Sequence, residues 1–571
     1  MMEKSRSNLV DKPTNSNGFV INEKYRLKEF QNFVQSTLNG ETANSHPFPH
    51  FSLNDFIVLD ENTEVMENLK TELASSKFDE QNNDLHSILQ TTDVANFDDQ
   101  KFPTLKSFHN FMRTTVREFI QTITGFVLNE KVALTGSLYK QADYLLPHDD
   151  SLDTRKVAFV FYLSKDWEQK FGGELALYNS NSNTNRPIEV TKRLQPTYNS
   201  FVFFPVTTNT WHSVKEVVDP NYSRLSLNGW FHAEDAKAAA PPLPEPEAER
   251  LRPSDTISSN TVNEWFNERF LTPTEIKKIK RTFETTSEIS FPDFLTDDKY
   301  KLVLDELDNA HFVEIGPPDQ RNVAKLDESM LSPGSNLSTL LEIFRSEAMT
   351  SHLTKWTGLQ LSEEQFNVDN SSTTQPALKR IRLDSELCKK PSTSAQTQSE
   401  VSSSLKADVE LVPFVYRFKH GSYTMTDDQM AARAELNGYC LDVSLCLGRF
   451  KKWPKKAHGF TSYVGTELGN GEAEQQSSEI LRVYPKANAL QIVFRERNVV
   501  KFTKYLNIHT EESQYYLIGA LFYGVHVDST ASSPNSHLSD EDSDEQDYGE
   551  DLEVVEDDDL ESNESDQDNS S

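Results

Sequence analysis

Apolar residues recur at spacings of three and four through Leu105, Phe108, Met112, Val116, Phe119 and Ile123, a period that turns one helical face toward an apolar surface. That spacing predicts a long amphipathic helix. Upstream, NEKYRLKEFQNFVQSTLNG predicts a helix ending at Gly40, Glu64 to Ser75 predicts another, and DFIVLD between them reads as a strand. From Val132 the texture changes. VALTGSLY, KVAFVFYLS, ELALYN, SFVFFPV and RLSLNGWF are short β-branched and aromatic runs separated by Asn, Ser, Gly and Pro. They predict an antiparallel sandwich or barrel backed by helices.

Breaks in this texture set the expected organisation: a disordered N-terminus over 1–20, a first domain over 21–236, and a Pro- and Ala-rich linker, AAAPPLPEPEAERLRP, over 237–255. Residues 260 to 360 are helical in pattern, with LTPTEIKKIKRTFE opening on a Thr-x-x-Glu-like start. A Ser-, Thr- and Gln-rich segment, 366–407, predicts a disordered insertion, and strand texture returns from Val412 to Tyr523. The second domain is therefore 256–526, followed by an acidic tail over 527–571. The order helices, strands, helices, strands points to a duplication. KDWEQKFGGELALY and KKWPKKAHGFTSY place Lys165 and Lys451, Trp167 and Trp453, and Gly173 and Gly459 at equal spacing, with Tyr144 opposite Tyr423.

Charge and cysteine usage narrow the partners. Of the net charge of −32, 17 acidic residues uncompensated by any Lys or Arg lie between Ser539 and Ser571, leaving 15 net negative charges over the first 538 residues. Such a body argues against direct nucleic-acid binding and for a basic protein partner. Cys388, Cys440 and Cys446 are too few for a disulfide framework or a four-thiolate zinc site, which fits a reducing compartment. The polar start lacks a signal-peptide core, and no run approaches the roughly 18 apolar residues of a membrane span. A soluble protein of nucleus and cytoplasm is expected, with Lys379, Arg380, Arg382, Lys389 and Lys390 a candidate import signal.

His148 and Asp150 stand two apart at the mouth of the run KVAFVFYLS. About one His-x-Asp pair arises by chance in a chain of this composition, and the other instance, His526 with Asp528, has only His537 and no Arg downstream. His148 and Asp150 have richer chemistry on their C-terminal side. Residues i and i+2 of a strand share a face; His212 lies after the sheet has turned back, and Arg224 comes twelve residues later on the next strand. Two His and one carboxylate on one face of Fe(II) leave three positions open. A guanidinium inside a sheet is costly unless a carboxylate meets it, and where no acidic side chain of the protein does so, a small-molecule acid could in bidentate form. Taken singly, the pair reads as a polar turn and His212 as a core histidine; only together do they read as a site.

These residues, with FYLSKDW and GGEL between them, resemble the 2-oxoglutarate- and Fe(II)-dependent prolyl hydroxylases. FYLSKDWEQKFGGEL is similar to the matching stretch of the hypoxia-factor prolyl hydroxylases, and the whole layout resembles the Tpa/Ofd/Sudestada family, most specifically between Tyr139 and Trp230. The resemblance implies an α+β fold of two double-stranded β-helix (jelly-roll) domains, each backed by helices, the second a degenerate copy. It implies Fe(II) on His148, Asp150 and His212, and 2-oxoglutarate clamped by Arg224 with Tyr162 and Tyr139 as further contacts. Trp230 becomes a wall of the substrate channel, O2 the second cosubstrate and L-ascorbate the reductant; Asp149, by strand alternation, faces away. In the second copy His148 falls opposite Asp427, Asp150 opposite Gln429, His212 opposite Phe502 and Arg224 opposite a tyrosine near Tyr515, which implies a non-catalytic domain. The implied reaction is 3-hydroxylation of a proline in a basic small-subunit ribosomal protein at the decoding centre, with family roles in translation and stress granules. A hypoxia-factor-like hydroxylase and a non-enzymatic acidic scaffold for basic proteins are the rival readings.

Overall fold

The computed structural model describes residues 18–59, 64–234, 236, 248–361, 409–426, 439–465, 478–496 and 499–524. The expected disordered insertion, the basic cluster, Cys388, the acidic tail, Asp427, Gln429 and most of the N-terminus and linker lie outside the described residues. The described parts of both halves fall within one compact unit.

The first half opens with α1 (Lys28–Leu38), β1 (Phe51–Leu53), α2 (Glu64–Ala74), β2 (Asp79–Asn82) and β3 (His86–Gln90). The apolar spacing from Leu105 to Ile123 is one run of helix, α3 (Pro103–Phe111) and α4 (Arg117–Thr124), joined through a π turn at Met112–Val116. Then come β4 (Val132–Tyr139), β5 (Tyr144–His148), β6 (Arg155–Tyr162) and β7 (Leu175–Ser180). β8 (Pro187–Leu194), β9 (Phe201–Pro205), β10 (His212–Val214) and β11 (Arg224–His232) complete the half. The sheet runs β1-β9-β6-β11-β4-β3-β5-β10-β7-β8, with β2 added on β3. Strand alternation divides its faces. Phe159, Phe161, Phe201, Phe203, Leu225 and Leu227 pack with helix residues such as Leu105, Phe108 and Phe119, whereas Ala158, Tyr162, Val202, Phe204 and Trp230 cluster on the opposite face. The aromatic runs are therefore mainly core, and the even-numbered positions of β11 face inward.

DFIVLD is not a strand. The strand lies earlier, with Phe51 opposite Phe203, and Ile57 makes only an isolated bridge to Ile21. The reason is Asn199, whose side-chain amide takes both backbone groups of Ile57, at 3.1 and 2.9 Å, so a side chain replaces the ladder there.

The second half repeats the plan: α5 (Ser259–Asn263), α6 (Pro273–Thr286), β12 (Glu288–Pro292), α7 (Asp297–Asn309), β13 (Phe312–Ile315), β14 (Arg321–Leu326), α8 (Asn336–Phe344) and α9 (Glu347–Thr357). Thus residues 260 to 360, helical by pattern, also hold three strands; each is four to six residues long and partly exposed, too short and too polar for a period of two to register. β15 (Glu410–Phe418), β16 (Tyr423–Thr424), β17 (Cys440–Gly448) and β18 (Thr461–Gly465) come next. The last four are β19 (Ser478–Val483), β20 (Ala489–Arg495), β21 (Val499–Thr503) and β22 (Tyr515–Tyr523).

The second sheet runs β12-β20-β17-β22-β15-β14-β16-β21-β18-β19 with β13 on β14, the same order as the first, rank for rank. The duplication reaches individual hydrogen bonds. Glu72 accepts from the first amides of α3, Thr104 at 3.0 Å and Leu105 at 2.9 Å, and Glu306 accepts from Asn336 and Leu337 at the start of α8, at 3.0 and 2.7 Å. Each satisfies two orphan N–H groups and opposes the helix dipole, worth about 1 kcal/mol apiece. Asn488 takes both backbone groups of Leu295 at 2.9 Å, as Asn199 does for Ile57. Trp167 donates its indole N–H to Gly172 and Trp453 to His458, and Gly173 and Gly459 both adopt φ of +69°, a region that a side chain would strain. The equal spacing seen in the sequence is one turn geometry used twice within one chain.

Candidate metal centre

His148 ends β5 and His212 begins β10, and the two are direct cross-strand partners with ring centroids 4.2 Å apart. Asp150 reaches them differently from the expectation of a shared strand face: β5 stops at His148, and Asp150 sits at φ +60° in the turn beyond it. Its Oδ1 lies 3.6 Å from His148 Nε2 and its Oδ2 3.4 Å from His212 Nε2. The three ligand atoms are within 4.8 Å of one another, close enough for one small cation to touch all three. His148 Nδ1 bonds to the Leu146 carbonyl at 2.9 Å and His212 Nδ1 to the Thr210 carbonyl at 2.8 Å. Such bonds fix both rings and leave each Nε2 facing Asp150, available to a metal. Asp149 turns its carboxylate to the Ser151 amide at 3.0 Å instead.

Protonation favours a cation at this point. Burial, with the adjoining His212, presses His148 down to about 4, so its ring is neutral at pH 7. Burial alone would raise Asp150, but the His212 and His148 imidazoles outweigh it and hold the carboxyl well below its usual range. Burial would likewise depress His212; Asp150 reverses the direction and raises it. An ionised carboxylate facing two imidazole nitrogens, one of them already neutral, is a place where a divalent metal competes with a proton.

Behind this cluster lies Arg224, 1% exposed. Its guanidinium reaches Ser226 Oγ and Tyr162 Oη at 3.3 Å each, and sits over the Tyr139 and Tyr162 rings at 4.8 and 4.9 Å. Its Nε has no hydrogen-bond partner, and no carboxylate pairs with it among the described residues. A buried charge left in this condition calls for an anionic ligand, and one carboxylate of a small dicarboxylic acid would suit it. Trp230 shares the inward face, beside Asp150, and is covered by the Arg155 guanidinium 3.6 Å above its ring. Arg155, also 3.6 Å from Asp150, and Ser226 escaped sequence reasoning. Two-residue spacing from Arg224 was the available signal for Ser226; Arg155 is brought back only by the turn after Asp150.

In the second copy the sequence alignment slips by one residue. Val214 pairs with Leu175 and Thr503 with Thr461, and with Gly173 matched to Gly459 the residue in the place of His212 is Lys501, not Phe502. One step along a strand exchanges faces, so Phe502 takes the place of Ser213. Lys501 bonds to the buried Asp442. Tyr515 replaces Arg224, opposite Phe418 as Arg224 is opposite Tyr139, and Cys446 replaces Tyr162. A cavity of about 550 Å³ remains inside this sheet, between Phe414, Tyr463, Arg495, Lys501 and Tyr515.

Residues 134–232 match the 2OG-Fe(II) oxygenase superfamily, and residues 258–529 match a family described as oxoglutarate and iron-dependent oxygenase degradation C-term. The chain is 30% identical over 475 residues to prolyl 3-hydroxylase OGFOD1 of Xenopus laevis, covering 82% of this chain and 85% of that protein. It is 27% identical to prolyl 3-hydroxylase sudestada1 of Drosophila melanogaster, over 75% of this chain and 74% of the relative. Among solved structures, a prolyl hydroxylase from Trichoplax adhaerens is similar over 38% of this chain and 96% of its own, at 18% identity and a TM-score of 0.30. The order of strands, the His-Asp-His cluster and the extent of the matches to the two prolyl 3-hydroxylases together place this chain in the prolyl 3-hydroxylase family of 2-oxoglutarate- and Fe(II)-dependent oxygenases.

Proposed function

We propose that this protein hydroxylates carbon 3 of a prolyl residue in a basic small-subunit ribosomal protein at the decoding centre, and so affects translation. The observation that carries the enzymatic part is the convergence of His148, Asp150 and His212 in front of an uncompensated buried Arg224. Names of the relatives support prolyl 3-hydroxylation; the ribosomal substrate rests on the family resemblance and on the acidic character of the chain.

His148, Asp150 and His212 would hold Fe(II), the two histidines through Nε2 and Asp150 through its carboxylate. Arg224, with Tyr162 and Tyr139 beside it, would hold the distal carboxylate of 2-oxoglutarate. When bound there, iron with 2-oxoglutarate and O2 supplies the oxidising power to insert one oxygen atom into a C–H bond, releasing succinate and CO2. The protein's own part is to orient these groups and exclude water: Phe204, edge-on to His212 at 4.8 Å, and the inward cluster of Leu175, Leu177 and Val202 dry the interior side. Trp230 and Arg155 form the wall past which the prolyl ring enters. L-Ascorbate serves as the reductant that keeps iron ferrous, and the protein works in nucleus and cytoplasm. Lys501 and Tyr515 make the second copy non-catalytic, since an ammonium paired with Asp442 replaces a ligand and a phenol replaces the clamp.

The test is incubation of the purified chain with Fe(II), 2-oxoglutarate and two peptides, one carrying the decoding-centre proline and one a hypoxia-factor proline, then fragment mass analysis. Gain of one oxygen on the ribosomal proline alone is expected. Modification of the hypoxia-factor peptide alone would refute the substrate, and no succinate with either peptide or the intact ribosomal protein would favour the acidic scaffold.

A further inference from the structure

The loop leaving β10 carries Glu216, a carboxylate 5% exposed that the metal chemistry does not use. Its side-chain hydrogen bonds come from the other half of the molecule. His420 Nε2 lies at 2.7 Å, the Tyr505 hydroxyl donates at 3.2 Å and the Ile508 amide at 2.7 Å. Tyr505 has a second contact: its ring packs on Tyr144, centroids 4.3 Å apart, the first residue of the strand that ends in His148. Its neighbour Lys504 donates to the carbonyls of Asn83 and His86 at the entry to β3, and β3 pairs with β5 through Ser87 and Tyr144. One short stretch of the second copy, Lys504 to Ile508, thus touches the strand that ends in His148 and the loop that leaves the strand beginning at His212.

β10 is also paired with β7 and β5 with β3, but the direct contact between β5 and β10 is short. β10 is three residues long, and its pairing with β5 is irregular between His212 and Val214. The backbone at Glu216 lies where three elements meet. The Glu216 carbonyl accepts from Gly173 at 3.1 Å, the Val217 amide donates to Asp143 at 3.1 Å, and the Val217 carbonyl accepts from Ala142 at 2.8 Å. At Gly173 a Cβ would lie 3.2 Å from Arg224 Cδ, so the same junction borders the carboxylate clamp. A site whose ligands must be held to about 0.5 Å needs support beyond a ladder this short.

We propose that the second copy serves the reaction as a brace: Tyr505 and Glu216 are positioning residues that set the spacing between the His148 strand and the His212 strand. The proposal rests on the reading of His148, Asp150 and His212 as the iron ligands. It gives the duplicated half a task in the reaction itself. The buried carboxylate makes the brace selective, because losing its donors leaves a charge unsatisfied directly beside β10.

The full chain is compared with Tyr505→Ala, Tyr505→Phe, Glu216→Gln and Asp150→Ala, and with Arg186→Met, which removes a buried ion pair to Asp319 between the two halves away from Glu216. Read out are Fe(II) affinity by calorimetry, KM for 2-oxoglutarate, 2-oxoglutarate consumed per proline hydroxylated, and melting temperature. Tyr505→Ala is expected to weaken Fe(II) binding tenfold or more in order of magnitude and to raise the consumption ratio. Tyr505→Phe keeps the stacking, loses the bond to Glu216 and falls between, as does Glu216→Gln. Arg186→Met is expected to melt earlier with iron affinity and coupling intact. Should Tyr505→Ala melt early like Arg186→Met yet keep wild-type affinity and coupling, the brace is only an interface and the proposal is overturned; if it does not fold, wild-type affinity and coupling in both Tyr505→Phe and Glu216→Gln overturn it equally. Wild-type iron binding in Asp150→Ala would instead overturn the iron-site reading itself.

Discussion

Replacing Arg224 by Met removes the guanidinium while keeping much of its volume, and the structure assigns opposite signs to the two consequences. In the protein alone, Arg224 has no carboxylate; its favourable contacts are two neutral hydroxyls at 3.3 Å and two tyrosine faces. Cation–π contacts of about 1 kcal/mol each are set against the several kcal/mol of burying an unpaired charge. Unfolding free energy should therefore fall by less than about 1 kcal/mol or rise. For 2-oxoglutarate the sign reverses, since its distal carboxylate would enter a buried site with no charge to meet it, costing about 3 kcal/mol, a KM increase on the order of 100-fold. Succinate formation titrated with 2-oxoglutarate, alongside urea denaturation of the same preparation, measures both. A variant that loses several kcal/mol of stability while keeping its KM would show that Arg224 is a structural residue, and the clamp would have to be withdrawn.

Asp150→Asn should lose Fe(II) affinity by two orders of magnitude or so, because the triad's only charge is removed, with calorimetry as the check; unchanged affinity would mean the metal lies elsewhere. Gly229 in β11 has no room for a methyl group, an added Cβ falling 1.8 Å from the Ala133 carbonyl oxygen, so Gly229→Ala should cost more than about 3 kcal/mol in urea denaturation. Burial pushes His86 and His458 down to about 4. The unfolded chain binds their protons near 6.5, so their contribution is whole above about pH 6.5 and disappears as pH falls toward 4, on the order of 2 kcal/mol each. A urea midpoint that stays level from pH 7 to pH 4.5 in wild type, and matches that of a His86→Gln, His458→Gln double variant, would contradict it.

The sequence by itself determined the local texture and the chemistry. The period of Leu105 to Ile123 made the long helix, alternation put Tyr162, Arg224 and Trp230 on one face, and the spacing from Trp167 to Gly173 recurred at Trp453 to Gly459 because a turn at φ +69° needs glycine in both copies. Residue types at His148, Asp150, His212 and Arg224 marked the site because such groups are expensive in a β-sheet interior without a ligand. Tertiary structure decided what depends on partners distant in the chain. DFIVLD lost its ladder to the side chain of Asn199, some 140 residues on. Three short strands inside a helical stretch exist because existing sheets recruit them, and one residue of register moved Lys501 into the place first given to Phe502. Asp150 joined the triad through a left-handed turn instead of a strand. The contact of Tyr505 with both Tyr144 and Glu216 left no trace in any local pattern, since it belongs to the docking of one copy on the other, and a buried surface between two folded halves has no period for a sequence to display.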